Sequence, residues 1–171
     1  TYTELLQQSR AIAKSLLVLG LGKGARVGIL MGNRPEAVAA IFGAALVGAV
    51  AVPLSTFAPG PELSYLVSHA DISVLLLQAT MDGRRFADDV AELCPAATGL
   101  APFGEPQYPY LCHVAVLGAP EDAAALGSWD RFIAHGQAVV TDAVLDAAAA
   151  RVHPSDVALT IYSSGTSDRP K

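Results

Sequence analysis

The chain has 171 residues, a length that supports one domain with a substantial hydrophobic core. Hydrophobic residues make up 52% of it and charged residues 16%, and the mean hydropathy is +0.41, so much of the chain should be buried. A net charge of −5, with the 11 Lys and Arg residues scattered and no aromatics interleaved among them, excludes the basic face of a nucleic-acid binder.

Thr1 and Glu4 have capping-box spacing, and Leu5, Leu6, Ile12, Ala13, Leu16 and Leu17 fall near one helical face. Gly20 and Gly22 end that helix. The apolar run Val27–Met31 follows as a strand, and Pro35 sits at a first-turn position of a second helix that reaches about Val47. A buried strand, Ala49–Val52, comes next. The uncharged stretch Ala37–Leu54 approaches the roughly 20 residues of a membrane span. It is rich in Ala and Gly rather than Leu, and Pro53 closes it, so helix followed by strand accounts for all of it and no transmembrane segment is expected.

A third helix is expected over Pro59–His69, a strand over Ser73–Leu77, and an amphipathic helix over Arg84–Cys94 that Pro95 stops. Four prolines between Pro95 and Pro109 predict an irregular connection. Val114–Leu117 is again strand-like, Trp129–Ala134 reads as a short helix, and Ala143–Ala150 has high helix propensity. The last strand, Val157–Tyr162, runs into a loop of hydroxyl residues. Strands that are apolar throughout and separated by helices predict an α/β fold, a largely parallel sheet with helices on both faces.

Several features carry no chemistry on this reading. Cys94 and Cys112 lack any C-x-x-C pattern and read as ordinary thiols of a reducing cytoplasm. His69, His113, His135 and His153 show no metal-ligand spacing and should be surface or locally bonded. Gly20-Leu21-Gly22-Lys23-Gly24 precedes the first strand instead of following one, which excludes a dinucleotide-binding turn. Trp129 and Phe132, at i and i+3, should pack down on one helix face.

The chemistry lies in Tyr162-Ser163-Ser164-Gly165-Thr166-Ser167-Asp168-Arg169-Pro170-Lys171. Hydroxyls and backbone N–H groups can donate to phosphate oxygens, glycine lets the backbone approach closely, and lysine supplies a point charge. Ligands of open α/β sheets bind outside the carboxyl ends of the strands, where such a loop should lie. The spacing is not that of a Walker A loop. A Ser/Gly/Thr run after a strand is by composition most often a turn.

The string Tyr-Ser-Ser-Gly-Thr-Ser-x-x-Pro-Lys resembles the phosphate loop of the adenylate-forming superfamily, which includes acyl-CoA and aryl-CoA synthetases. Upstream segments resemble that family in the same order: Thr1–Leu5, Arg26–Glu36, Gly48–Leu54, Glu62–Leu66, the strand near Val74, and Asp156–Ala158. The resemblance covers nearly the whole chain, Pro95–Gln107 being its weakest part. It implies a 1–171 fragment of the large N-terminal domain of a bacterial-type acyl-CoA synthetase, cut within the phosphate loop. The rest of that domain and a C-terminal domain with its catalytic lysine would lie elsewhere, leaving no catalytic residue here.

What the resemblance implies is ATP-dependent conversion of a carboxylic acid, a fatty acid by the texture of the sequence, to acyl-AMP and then acyl-CoA. Ser163, Ser164, Gly165, Thr166, Ser167 and Lys171 would bind the ATP phosphates, with Ser163 linked to Mg²⁺, and coenzyme A would be the second substrate. The isolated piece would be inactive, its location cytoplasmic, and a homodimer is open to it. An adenylation domain or acyl-AMP ligase loading a carrier-protein thiol is the alternative, and a non-enzymatic binding module on the same fold is the alternative of another class.

Asp168 stands where the family commonly has glycine. Asp tolerates left-handed turn geometry, so an outward-pointing carboxylate is compatible with the loop. In the full-length enzyme, Asp168→Gly is expected to change the KM for ATP by less than about tenfold, since an outward charge adds little repulsion. A larger gain in ATP affinity would show that the carboxylate faces the phosphates.

Overall fold

A computed structural model describes residues 1–97, 102, 104–118 and 127–163. In chain order these form α1 (Tyr2–Val18), β1 (Arg26–Leu30), α2 (Pro35–Leu46), β2 (Val50–Pro53), α3 (Gly60–His69), β3 (Val74–Gln78), β4 (Thr80–Met81), β5 (Arg84–Arg85), α4 (Phe86–Leu93), β6 (His113–Leu117), β7 (Gly127–Ser128), α5 (Trp129–Val139) and α6 (Asp142–Ala149). The main sheet has the order β2-β1-β3-β6-β7, and every pairing in it is parallel. The expected architecture is present. Among the described residues no helix is long and apolar enough to cross a membrane.

Strand periodicity explains how the sheet divides the interior. In β3 all five residues are buried, and successive side chains point to opposite faces. Val74 and Leu76 join the core under α1, α2 and α5, whereas Leu75 and Leu77 join the core under α3 and α4. β1 and β6 split in the same way: Val27, Ile29 and Ala115 face the first core, and Leu30, Val114 and Val116 face the second. Strands apolar on both faces are what two helical layers demand.

The first layer depends on how closely helices can approach α1. Its start is set by the reciprocal Thr1–Glu4 capping box that the sequence indicates. On its inner surface Ser9 and Ser15 are buried, each donating its hydroxyl to the carbonyl four residues back, Leu5 at 2.7 Å and Ala11 at 2.9 Å. Against Ser9 and Ile12 lies Gly43 of α2, where a Cβ would come within 2.9 Å of the Ser9 carbonyl oxygen. Against Ser15 lies Gly136 of α5, where a Cβ would overlap the Ser15 nitrogen, Cα and Oγ. The Ala and Gly content read above is therefore contact surface between helices. α6 is tied to α1 by charge, Asp142 meeting both Lys14 and Arg10 at 3.0 Å.

Three expectations need correction. α5 continues through Gly136 to Val139 instead of ending at Ala134, because close packing on Ser15 offsets the glycine's helix penalty. A hairpin, β4–β5, precedes α4; Asp82-Gly83 at its turn both have positive φ, and this dipeptide between short extended runs is a hairpin signal the sequence reading did not use. β7, only Gly127–Ser128, is too short to show a periodicity.

The Val157–Tyr162 segment departs most. It touches the sheet through one parallel bridge, Ala51↔Leu159, with Ala51 N–H donating to the Ala158 carbonyl at 2.9 Å and Thr160 N–H donating to the Ala51 carbonyl at 2.9 Å. In β2, Val50 and Leu54 bond toward β1, so Ala51 and Pro53 face the outer edge. The next rung would need an N–H from Pro53, which has none, and the ladder stops. Val157, Leu159 and Ile161 are left exposed along this edge.

Gly136→Ala tests the close approach. The added methyl raises helix propensity by about 1 kcal/mol, but it meets backbone that cannot rotate away, and overpacking of this kind costs about 1–3 kcal/mol or more. The expected net result is a lower urea midpoint with unchanged m-value. A stabilised protein would show that α1 and α5 are not in this register.

Candidate phosphate-binding site

The candidate loop is delivered by residues 153–163, and each part of that approach is held by a different kind of contact. At its start His153 N–H donates to Asp156 Oδ2 at 2.8 Å, and Lys23 Nζ pairs with the same oxygen at 2.7 Å. Those contacts, the His153 N–H first and Lys23 second, hold the Asp156 carboxyl below the usual carboxylate range. The turn is closed further by His153 Nδ1 and Ser155 Oγ, 2.7 Å apart. The two backbone bonds to Ala51 follow. The chain is then pinned by Tyr162, whose hydroxyl shares a 2.7 Å hydrogen bond with Nδ1 of His69, the last residue of α3.

Tyr162 is half-buried against the α3–α4 core, its ring edge-on to His69 at 5.7 Å, and the Tyr65 ring lies tilted to His69 at 5.1 Å. Burial pushes the Tyr162 phenol above its ordinary pKa. Ser163, next in the chain, is exposed. Among the residues expected to bind phosphate it alone is described; Ser164, Gly165, Thr166, Ser167 and Lys171, with Asp168, lie outside the described residues, as does the expectation that the loop projects beyond a carboxyl strand end.

The parallel strands run in the order 2-1-3-4-5, so the topological switch falls between β1 and β3, where doubly wound sheets open a crevice. Here it is closed. Gln78, 6% exposed, accepts from Gly32 N–H at 2.7 Å and donates Nε2 to the Thr80 carbonyl at 2.8 Å, and Met81 sulfur lies against Gly32. Sequence reading assigned Gln78 no role; its only mark is a polar residue closing an apolar run.

For a metal, the described residues offer no group of three or more His, Cys, Asp or Glu side chains. A magnesium ion carried on phosphate oxygens needs only one or two protein oxygen donors, because it retains water and phosphate ligands. The exposed Ser163 hydroxyl fits that donor chemistry. Of the histidines, His69 and His153 are locally bonded, one of the two expected alternatives, and His113 is buried in β6, 5% exposed. Trp129 and Phe132 do pack downward, their rings 5.8 Å apart.

Residues 1–171 in full match the family described as AMP-binding enzyme. The chain belongs to that family. It is 29% identical over 171 residues to the acyl-CoA ligase sidI of Aspergillus fumigatus, covering 100% of this chain and 28% of that protein. It is 33% identical over 171 residues to the 3-hydroxybenzoate/4-hydroxybenzoate–CoA ligase of Thauera aromatica, covering 100% of this chain and 28% of that protein. The anthranilate CoA ligase AuaEII, solved with anthranoyl-AMP, shares the fold with a TM-score of 0.76 at 24% identity, over 99% of this chain and 28% of that one. The chain thus spans less than a third of the length of these two relatives.

The buried thiol of Cys94 does not stand as an activated nucleophile. Cys94 is 2% exposed, and burial, with Glu105 adding to it, pushes its pKa up to about 11. At pH 8 the folded protein should hold about one thiolate in a thousand at this position. Iodoacetamide at pH 8 is therefore expected to label Cys94 at least tenfold more slowly in the native protein than in 6 M guanidinium, read by peptide mass spectrometry. Equal rates would show that the α4 end of the second core is open.

Proposed function

We propose that the protein carrying this chain activates a carboxylic acid with ATP, forming acyl-AMP and pyrophosphate, and then passes the acyl group to the thiol of coenzyme A. The observation that carries this reading is the family match over every residue, including the Ser163–Lys171 string, with relatives named as CoA ligases aligned end to end with the chain. Residues 1–171 are then the front part of a larger N-terminal domain, and the groups that bind adenine and acid and complete catalysis belong to further sequence.

In this reading Ser163, Ser164, Thr166 and Ser167 donate to the β- and γ-phosphates, Gly165 permits the close approach, and Lys171 offsets the charge that develops on the departing pyrophosphate. Mg²⁺ bound to the nucleotide would be held at Ser163 and would supply charge neutralisation for the phosphates. The approach described above supports these roles: a segment fixed at Asp156, Ala51 and Tyr162 presents Ser163 to solvent from a rigid sheet. A fatty acid is the preferred substrate class, although hydroxybenzoate ligases among the relatives give aryl acids a place in the test. The names of the relatives favour CoA over a carrier-protein thiol.

ATP–pyrophosphate exchange by the full-length protein, run with fatty, aryl and amino acids, decides it. Exchange that appears with one class of acid, followed by acyl-CoA formation on adding CoA, is the expected result. No exchange with any acid overturns the adenylation reading.

A further inference from the structure

The contact between α3 and the last described segment is unusual for an exposed site, because three rings converge on it. Tyr65 and His69 are one turn apart on α3, their rings tilted to each other at 5.1 Å, and Tyr162 meets His69 edge-on at 5.7 Å with a 2.7 Å hydrogen bond to Nδ1. The helix bearing His69 is anchored independently of this contact. Leu63, Leu66 and Val67 are buried in the second core, and Ser64 Oγ meets the hydroxyl of buried Tyr108 at 2.7 Å. The segment bearing Tyr162 is not so anchored. After Thr160 N–H bonds the Ala51 carbonyl, Pro53 offers no further rung, and Ile161 is 69% exposed. His69 therefore supplies what the truncated ladder does not.

We propose that His69 is a positioning residue for ATP binding. Its imidazole holds the Tyr162 ring on the α3 face, and so fixes the direction in which Ser163 and the phosphate-binding residues after it leave the sheet. This rests on the reading of Ser163–Lys171 as a phosphate-binding segment. The role belongs to geometry, not charge: among the described residues His69 acts through its hydrogen bond and ring contact with Tyr162. The chemistry asks for a polar atom at the Nδ1 position, which the amide of asparagine supplies and leucine does not.

The experiment uses the full-length enzyme and two readouts. In ATP–pyrophosphate exchange, His69→Leu is expected to raise the KM for ATP about five- to tenfold, the worth of one ordinary hydrogen bond, with kcat within about twofold. His69→Asn should bring KM back to within about threefold of the parent. Tyr162→Phe removes the same bond from the other side, so the double variant His69→Leu/Tyr162→Phe should be no worse than either single one. Amide hydrogen exchange, which needs no activity, should speed up in the 159–163 peptide of His69→Leu and stay unchanged in α3.

A KM for ATP unmoved by His69→Leu in an active enzyme overturns the proposal, as do additive effects of the two single variants. Equal losses of kcat and stability with no rescue by asparagine also overturn it, by making His69 a packing residue only. A parent enzyme that neither exchanges pyrophosphate nor binds ATP removes the phosphate-loop reading itself, a failure distinct from the others because the hydrogen-exchange result still reports whether His69 holds Tyr162.

Discussion

The fold depends on burying one strand on both sides. β3 places five consecutive buried residues at the centre of the sheet, and none of them can face water without opening one of two cores. Strand spacing of about 4.8 Å then fixes how close β1 and β6 lie, and covering both faces requires a helical layer on each. The layers solve this differently. On the α1 side, small residues let helices approach until Gly43 and Gly136 touch α1 backbone. On the other side, large side chains such as Phe86, Leu63 and Tyr108 fill the core. Removing apolar area from water at about 25 cal/mol per Å² drives both arrangements, and in the first an added methyl at Gly43 or Gly136 would meet α1 backbone.

The outer edge of the sheet, where the candidate site begins, obeys another constraint. A central parallel strand is held by hydrogen bonds on both sides, whereas residues 158–160 have β2 on one side and can use it only through Ala51. Pro53 ends the ladder there. What continues to hold the chain is side-chain chemistry: the Asp156–Lys23 ion pair before the bridge and the Tyr162–His69 hydrogen bond after it. Ion pairs near the surface contribute little stability. Their use is to direct the chain, and the residue they direct is Ser163.

Much of this was legible in the sequence, for reasons that differ by element. The capping box at Thr1, the helix start at Pro35 and the apolar run of β3 are local signals, and each matched the structure within a residue or two. The family resemblance was legible because six modest motifs kept one order, which periodicity alone does not encode. What was not legible depends on partners distant in sequence. Gly136 reads locally as a helix terminator, and only Ser15, more than a hundred residues earlier, makes it a helix interior. Val157–Tyr162 reads as a strand from its apolar run, and only the identity of residue 53, on the strand beside it, shortens its ladder.

The same distinction bears on how the site is built. The residues that meet phosphate in the proposed reaction are contiguous, so a string of ten positions announces them. The residues that aim them, Lys23, Ala51, Pro53 and His69, come from the α1–β1 connection, β2 and α3 and carry no shared spacing. A binding loop made from backbone N–H groups and short hydroxyls has few side-chain atoms of its own with which to hold a direction. Its orientation must be imposed where it leaves the sheet, and there the last rung of hydrogen bonding and the last buried ring, Tyr162, are the available means. Preorganisation at that point matters more for binding than for folding, since the cost of ordering a loop falls on ligand affinity when the protein has not already met it.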